Sequence, residues 1–171
     1  MLYSPVKSVI MNNDARLPMY DNDTRLPMYV KIKKLDPNAV IPQYAHNGDA
    51  GMDLVATRMW IDEQGNICYG TGIAMEIPMG FVGLVFPRSS IAKKQLVLSN
   101  AVGVIDSIYR GEILVKFKPT KETTLKGDEV YQIGERIAQI IIVPYPKIEF
   151  EEVAELSETE RQDGGYGSSG K

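Results

Sequence analysis

The chain has 171 residues, of which 44% are hydrophobic and 24% are charged, and its formal net charge at pH 7 is -3. This composition excludes a disordered or fibrous chain, and the length is that of a single domain with a core of its own. The single cysteine and single histidine, Cys68 and His46, exclude an internal disulfide and a Cys/His zinc site, and the acidic balance argues against a broad basic face for nucleic acid.

Residues 1–29 are predicted to form an N-terminal extension. They contain a short tandem repeat, in which residues 13–20 recur with one change as residues 22–29. Two short copies cannot form a solenoid, so we expect an extended arm. The segment lacks a signal-peptide core, and no apolar run in the chain approaches the roughly 20 residues of a membrane span. We therefore expect a cytoplasmic protein without a membrane partner.

Residues 30–153 are predicted to form an all-β domain, because short apolar runs alternate with turn clusters of Asp, Asn, Gly and Pro. We expect a jelly-roll β-sandwich or barrel. The predicted strands lie near residues 30–35, 52–60, 67–77, 80–86, 95–99, 102–105, 111–118, 136–145 and 147–153.

Two of these strands have distinct patterns of apolar residues. Ile113, Val115 and Phe117 alternate with more polar positions, which predicts one buried and one wetter face. The β-branched run over residues 137–143 predicts a strand that is buried on both faces and ends at Pro144.

One short helix of about two turns is predicted after Pro87, with Ser89 or Ser90 as its N-cap. Arg88 offers bidentate donors to a phosphate, and the start of a helix offers free N–H groups to an anion. An Arg-Ser-Ser sequence is more often a solvated helix start than a ligand site, so both interpretations stay open on this pattern alone.

Two aspartates, Asp53 and Asp106, stand in otherwise apolar stretches. A carboxylate in such surroundings is costly unless it is paired, hydrogen-bonded or near a metal. One interpretation is that each caps a turn at the end of a strand. The other is a general base or a metal ligand acting through water, which hydrolysis of a phosphoanhydride needs.

Residues 154–171 are predicted to form a flexible C-terminal arm, because the composition turns first acidic and then rich in glycine and serine. Closely spaced glycines let backbone N–H groups converge on an anion. The arm is therefore a candidate for closing over phosphates, although such a string is also typical of a disordered tail.

Five segments in order resemble the five motifs of the trimeric deoxyuridine triphosphatase family. They are Ala50–Leu54, Pro87–Ala92, Gly103–Glu112, Gly134–Ile140, and Arg161 with Gly164–Gly170. The resemblance implies a jelly-roll homotrimer that uses Mg²⁺ to hydrolyse dUTP to dUMP and pyrophosphate, which limits uracil incorporation into DNA and supplies dUMP for thymidylate synthesis. It also implies active sites shared between subunits, each closed by the C-terminal arm of a neighbour.

The resemblance also implies a role for each matching residue. Asp106 would activate the water that attacks the α-phosphorus in line, and Asp53 would hold the magnesium through water. The implied substrate-binding residues are Arg88, Ser89, Ser90 and Gln139 at the phosphates, Asn100, Gly103, Val104 and Ile105 in a hairpin around the uracil, Tyr109 against the deoxyribose, and Arg161, Tyr166, Gly167, Ser168 and Ser169 in the arm.

The chain departs from the family pattern at several positions, among them Met52, where the family often has tyrosine, Ile108, where a second acidic residue is common, and Tyr166, where phenylalanine is usual. Ser90 stands where the family often has glycine, and Gln162 stands where a glycine commonly follows the arginine. Three other functions remain as alternatives: a dCTP deaminase of the same fold family, a bifunctional deaminase-triphosphatase, and a jelly roll that binds a protein partner without catalysis.

Overall fold

The computed structural model describes residues 28–121, 125 and 127–164. Within these ranges the chain forms ten β-strands and one 3-10 helix, Ser89–Lys93. No helix in the described part of the chain has the length and apolar character needed to cross a membrane. The strands are β1 (Lys31–Lys34), β2 (Met52–Val55), β3 (Arg58–Ile61), β4 (Ile67–Gly70), β5 (Ile73–Glu76), β6 (Phe81–Pro87), β7 (Leu96–Leu98), β8 (Gly103–Ile105), β9 (Leu114–Pro119) and β10 (Arg136–Pro144).

The strands form two four-stranded sheets and one two-stranded sheet, and all their pairings are antiparallel. The first sheet has the order β2-β10-β6-β8, the second has the order β3-β4-β9-β7, and β1 pairs with β5. The predicted all-β sandwich of jelly-roll type is confirmed. The core between the sheets contains Leu54, Val85, Ile137 and Ile140 from the first sheet and Ile67, Tyr69, Val115 and Phe117 from the second.

Strand β9 has the burial pattern expected from its alternation. Ile113, Val115 and Phe117 are buried, whereas the residues between them are exposed. Strand β10 ends at Pro144 as predicted, but it is fully buried only at Ile137, Ala138 and Ile140, and residues 141–143 are half-buried. The expectation of burial on both faces therefore holds for the first half of β10 and is wrong for the second.

Two predicted strands are each divided between sheets. The predicted strand 52–60 is β2 and β3: Ala56 bonds to residues 134–135 near β10, but the Thr57 N–H donates to Gly70 of β4. The predicted strand 67–77 is likewise β4 and β5, separated at Gly72. Both halves of each run contain buried or half-buried residues, so the hydrophobic pattern does not reveal where the chain crosses from one sheet to another.

Two further expectations are corrected. No strand forms over residues 147–153: after the Tyr145 N–H donates to Gly80, the chain leaves the sheet, and the side chain of Phe150 is 98% exposed. The helix is a single 3-10 segment whose N-cap is Arg88, without a side-chain cap, rather than two turns capped by Ser89 or Ser90. The Ile91 N–H donates to Arg88 and the Lys94 N–H to Ile91, which closes the tighter 3-10 rings.

Cys68 and His46 lie in different parts of the chain, the first in β4 and the second in a turn before β2. Cys68 is buried, and its Sγ lies 3.4 Å from Oδ2 of Asp62. Burial raises the pKa of the thiol, and the neighbouring Asp62 carboxylate raises it further, so the unreactive protonated form is favoured. His46 is exposed in a turn beside Asp49.

Gly72 has a positive φ of 68° and sits at the crossing between β4 and β5. A Cβ built there would lie 2.7 Å from Cβ of Asp36 and 3.0 Å from Cβ of Ala39. Its carbonyl also accepts the N–H groups of Leu35 and Asp36. The glycine therefore permits both the backbone conformation and the close approach of the chain after β1.

We expect Gly72→Ala to lower the free energy of unfolding by about 1 to 3 kcal/mol more than Gly65→Ala, because overpacking adds to backbone strain only at position 72. Gly65 is a matched control, since its φ is also positive, at 78°, and nothing lies within 4 Å of its Cβ position. Urea denaturation of both variants at one protein concentration measures the difference. Equal losses would show that the contact at Gly72 is unimportant.

Candidate functional site

The first cluster of candidate residues lies at one end of the first sheet, where three strands lie side by side. Gln139 on β10 faces Asp53 on β2 and Phe86 on β6. Because Arg88 follows β6 by one residue, the antiparallel register places it beside the same carboxylate. The pairing of strands thus unites residues from three of the five motifs.

Asp53 forms ion pairs with two arginines. Nε of Arg88 donates to its Oδ1 at 2.6 Å, and Nη1 of Arg136 donates to its Oδ2 at 3.2 Å. These contacts balance the cost of partly burying the carboxylate. Two cations against one anion leave a net positive charge at this end of the sheet. We call Asp53, Arg88 and Arg136 the arginine cluster.

Arg136 is a candidate that sequence reasoning missed, although it stands inside the fourth motif-like segment. The signal that could have identified Arg136 is its position three residues before Gln139 in the same segment. The bulge between Arg136 and Ala138 carries the arginine to the carboxylate. Its side chain is 57% exposed, so the guanidinium remains accessible to a ligand.

The 3-10 segment after Arg88 is held by a second set of hydrogen bonds. The Ser90 hydroxyl lies 3.4 Å from Nη1 of Arg88 and 3.2 Å from the hydroxyl of Tyr131. Burial raises the pKa of Tyr131, which keeps it a phenol. Nζ of Lys94 lies 5.0 Å from the centre of the Tyr131 ring and donates to the Val130 carbonyl. Ser89, next to this anchored residue, is exposed.

Gln139 is fixed by the backbone on both sides of its amide. Its Nε2 donates to the Pro87 carbonyl at 3.1 Å. A Cβ at Gly51 would lie 2.5 Å from its Oε1, so only glycine leaves room for this side chain. The Gln139 amide, which the family resemblance assigns to the phosphates, therefore donates to the protein backbone in this structure.

The second cluster surrounds Asp106, which follows β8 and is exposed. The Tyr109 N–H donates to the Asp106 carbonyl at 3.0 Å, and the Tyr109 hydroxyl donates to the Glu112 carbonyl at 2.9 Å. These turns enclose a pocket of about 170 Å³. It is lined by Val104, Ile105, Asp106, Tyr109, Glu112 and Leu114.

The segment expected to form a hairpin around uracil is not a hairpin. Leu98 of β7 pairs with Phe117 in the second sheet, whereas Gly103 of β8 pairs with Val85 in the first. The turn between them, with the exposed Asn100, therefore bridges the two sheets. The two strands are not hydrogen-bonded to each other because each is paired elsewhere.

The arginine cluster and Asp106 lie at opposite ends of β6. The register pairs Ile105 with Gly83 and Gly103 with Val85, so Asp106 lies beyond the start of this pairing and Arg88 beyond its end. The five residue steps from Gly83, the partner of Ile105, to Arg88 span roughly 16 Å of strand. The fold of one chain therefore does not bring Asp106 to the arginines.

Part of the C-terminal arm is described. Nε of Arg161 donates to the Gly164 carbonyl at 2.7 Å, and Gln162 has a positive φ of 48°. This conformation explains why a glycine suits the position after the arginine. The remaining arm candidates, Tyr166, Gly167, Ser168 and Ser169, lie outside the described residues.

The described residues do not build a metal cage, since they contain no group of three or more His, Cys, Asp or Glu side chains that could hold an ion. Both oxygens of Asp53 accept from arginines, and each carboxylate oxygen keeps a further lone pair for a water. Mg²⁺ retains several waters and is usually bound by one or two carboxylates together with substrate phosphates. The residues thus fit a magnesium ion held through water.

Comparison with known proteins gives a consistent family. A model of the dUTPase family matches residues 37–170. The deoxyuridine 5'-triphosphate nucleotidohydrolase of Corynebacterium glutamicum is 45% identical over 147 residues, which cover 83% of this chain and 95% of that protein. The same enzyme of Rhodococcus erythropolis is 42% identical over 146 residues, covering 82% and 85%.

Solved structures agree with this result. The Staphylococcus bacteriophage 80alpha dUTPase with dUPNHPP matches with a TM-score of 0.70 and 31% identity, over 84% of this chain and 99% of that chain. A point mutant of the dUTPase from phage phi11 of S. aureus, whose structure reveals the coordination of a structural Mg(II) ion, matches with a TM-score of 0.63 and 27% identity, over 75% and 98%.

The arginine cluster predicts a site for an anion, and its net positive charge rises if the Asp53 carboxylate is removed. We expect Asp53→Asn to lower the free energy of unfolding by about 1 to 3 kcal/mol, because it leaves two neighbouring cations unpaired. Inorganic pyrophosphate should then raise the melting temperature of the variant more than that of the parent protein. Asp49→Asn, which removes an exposed partner of His46 instead, is the control. An equal response to pyrophosphate in all three proteins would contradict an anion site here.

Proposed function

The chain belongs to the dUTPase family and is a dUTP diphosphatase, and from this premise we propose that Asp106 activates the water that attacks the α-phosphorus of dUTP in line. The products are dUMP and pyrophosphate. By removing dUTP and forming dUMP, the reaction limits uracil incorporation into DNA and supplies thymidylate synthesis.

The position of Asp106 supports its role as general base. It is an exposed carboxylate on the wall of a small pocket, and a carboxylate within reach of a water can accept its proton. Direct attack by water needs no covalent nucleophile. This agrees with the burial of Cys68 among its own hydrogen-bond partners.

The arginine cluster is proposed to bind the triphosphate. Arg88 and Arg136 present guanidinium groups, whose planar donors match phosphate oxygens, and Ser89 and Ser90 add hydroxyl and N–H donors. Asp53 would hold Mg²⁺ through water, and the ion would neutralise charge on the phosphates. Gln139 would contribute its amide only by giving up the bond to the Pro87 carbonyl.

The pocket beside Asp106 is proposed to receive the nucleoside. Backbone groups of Gly103, Val104 and Ile105, with Asn100 nearby, would contact the uracil. The Tyr109 ring would lie against the deoxyribose and exclude a 2′-hydroxyl. The pocket supports this assignment because an apolar wall and an aromatic face lie directly next to the proposed base.

We propose that the chain acts as a homotrimer with active sites shared between subunits. The observation that carries this proposal is the separation of Asp106 from the arginine cluster along β6. A reacting water and the phosphorus that it attacks must lie within about 3.5 Å. One chain keeps the base and the phosphate site roughly 16 Å apart along the strand, and a second copy that brings its arginine cluster to this Asp106 would unite them.

Two apolar surfaces also suit an assembly. Ile148, Phe150 and Leu156 are exposed by 61%, 98% and 87% in the segment that follows β10. An apolar groove of about 880 Å³ lies beside β1, with Val30 and Ile32 in its lining. Exposed apolar area of this extent is typical of a surface that another chain covers.

The domain organisation follows from this assignment. Residues 30–153 would form the catalytic β domain, and residues 1–29 an extension outside it. Residues 154–171 would form an arm that closes over a neighbour's site, with Arg161, Ser168 and Ser169 at the distal phosphates and Tyr166 stacked on the base. Gly167 would let the backbone approach the phosphates closely.

The reaction is tested with Mg²⁺ and each of dUTP, dCTP, dTTP and UTP, following nucleotides and pyrophosphate together by chromatography. We expect dUMP and pyrophosphate from dUTP alone. Replacing Asp106 with Asn should lower kcat by at least about 10²-fold with folding intact, because the water loses its base. Glu76→Gln, in an exposed pair with Lys31, is the control.

Other products would redirect the assignment. Formation of dUTP from dCTP would indicate a deaminase, and turnover of none of the four nucleotides would favour a binding module. An Asp106→Asn variant with full activity would remove this residue from its role.

Site sharing is tested by mixing two inactive proteins, Asp106→Asn and Arg88→Met, under conditions that let subunits exchange. If each site takes Asp106 from one subunit and Arg88 from another, about one quarter of the sites in randomly mixed trimers contain both native residues. We therefore expect activity to return on mixing and light scattering to give the mass of a trimer.

The control is each variant mixed with itself, which should stay inactive. A chain that lacks residues 161–171 tests the arm in the same assay, since it should form trimers with little activity. Failure of the mixed Asp106→Asn and Arg88→Met proteins to recover activity after proven exchange would place each site within one chain.

A further inference from the structure

An ion pair borders the Asp106 pocket, with Glu112 in the pocket lining, and neither of its residues has been assigned a contact with the substrate or the attacking water. Arg58 on β3 and Glu112, just before β9, form a bidentate pair in which Nη1 of Arg58 donates to Oε1 at 2.8 Å and Nη2 donates to Oε2. The Gly72 N–H also donates to Oε1 at 2.8 Å. The Glu112 side chain is only 14% exposed, so this carboxylate is firmly held.

The pair is fitted against the backbone of the second sheet. Gly70 is the cross-strand partner of Arg58, and a Cβ at Gly70 would lie 2.7 Å from Cζ of Arg58 and 2.7 Å from Oε1 of Glu112. On the other side, the Arg58 guanidinium lies 5.2 Å from the centre of the Trp60 ring. Arg58 is thus fixed by packing as well as by charge.

The backbone of Glu112 holds the Tyr109 ring. The Tyr109 hydroxyl donates to the Glu112 carbonyl at 2.9 Å. A Cβ at Gly111 would collide with the same ring, so the intervening glycine lets it fold back onto its own turn. The anchor of the Tyr109 ring is therefore the residue whose side chain Arg58 clamps.

We propose that Arg58 and Glu112 are positioning residues that fix the Tyr109 ring against the nucleoside pocket and thereby set the preference for deoxyribose over ribose. This inference rests on the proposed contact of Tyr109 with the sugar. The Tyr109 ring can exclude a 2′-hydroxyl only if the ring is held in place. The Glu112 carbonyl anchors the Tyr109 hydroxyl, and the Ile113 N–H of the same peptide unit donates to the Ile73 carbonyl. The grip of Arg58 on the Glu112 side chain is the second restraint on this turn, so its loss would loosen the anchor of the Tyr109 hydroxyl.

The effect is expected in binding and discrimination rather than in the chemical step, because neither residue is assigned to the attacking water or to the phosphates. Glu112→Gln keeps the shape of the side chain and removes its charge. Arg58→Lys keeps the charge and removes the fork that grips both oxygens. We expect either change to reduce the ratio of the UMP and dUMP dissociation constants about tenfold, with kcat for dUTP within about twofold of the parent value.

The experiment measures dUMP and UMP binding by calorimetry and dUTP kinetics for Glu112→Gln, Arg58→Lys and Tyr109→Phe. The double variant Glu112→Gln with Tyr109→Phe should lose no more discrimination than either single variant, because both changes release the same ring. Glu76→Gln, which breaks the exposed pair with Lys31, should leave the ratio unchanged.

A merely structural pair would give a different result. Variants with a lower melting temperature but an unchanged UMP to dUMP ratio would overturn the proposal, as would a fall in kcat alone. The milder Arg58→Lys keeps the test valid if Glu112→Gln fails to fold. Tyr109→Ala distinguishes failure of the proposed sugar contact from failure of the positioning role. If Tyr109→Ala leaves the UMP to dUMP ratio unchanged, the assignment of Tyr109 to the sugar fails. If it changes the ratio but Glu112→Gln and Arg58→Lys do not, only the positioning role fails.

Discussion

The antiparallel register of β6 with its two neighbours is the constraint on which the site depends. Against β10, which pairs in turn with β2, it brings Arg88, Arg136 and Asp53 together at one end of the sheet. Against β8 it sends Asp106 to the other end. A shift of this register by one residue would turn each side chain to the opposite face, so the buried residues of these strands fix the site geometry. The arrangement of the candidate site thus follows from ordinary sheet packing.

The charge balance of the chain explains how an acidic protein can bind a polyanion. The net charge is -3, yet two guanidinium groups surround one carboxylate in the arginine cluster. Asp53 keeps these cations close together when no ligand is bound, since two unpaired guanidinium groups would repel each other. Such a preorganised pair needs little rearrangement when phosphate arrives, and preorganisation is the main source of electrostatic stabilisation in enzymes. For binding a polyanion, the local positive charge of the arginine cluster therefore matters more than the net charge of the chain.

The sequence predicted the all-β class and most strand positions, because alternation and turn residues are local signals. It failed where the outcome depends on distant partners. The crossings at Ala56 and Gly72 are decided by bonds to residues far along the chain, and the segment 147–153 has the pattern of a strand but no partner strand within the described chain. Motif resemblance supplied the candidate residues, but it did not reveal that Arg136 shares Asp53 with Arg88 or that Tyr131 holds Ser90.

Three glycines in and near the motifs show what the sequence pattern encodes physically. Gly51, Gly70 and Gly111 are not among the described glycines with positive φ. Each instead lies where a Cβ would meet a site side chain: Gln139 at the first, the Arg58–Glu112 pair at the second, and Tyr109 at the third. A side chain pressed against bare backbone has few rotamers left, so its position is fixed before any ligand binds. These glycines act by setting side chains in place rather than by bending the chain.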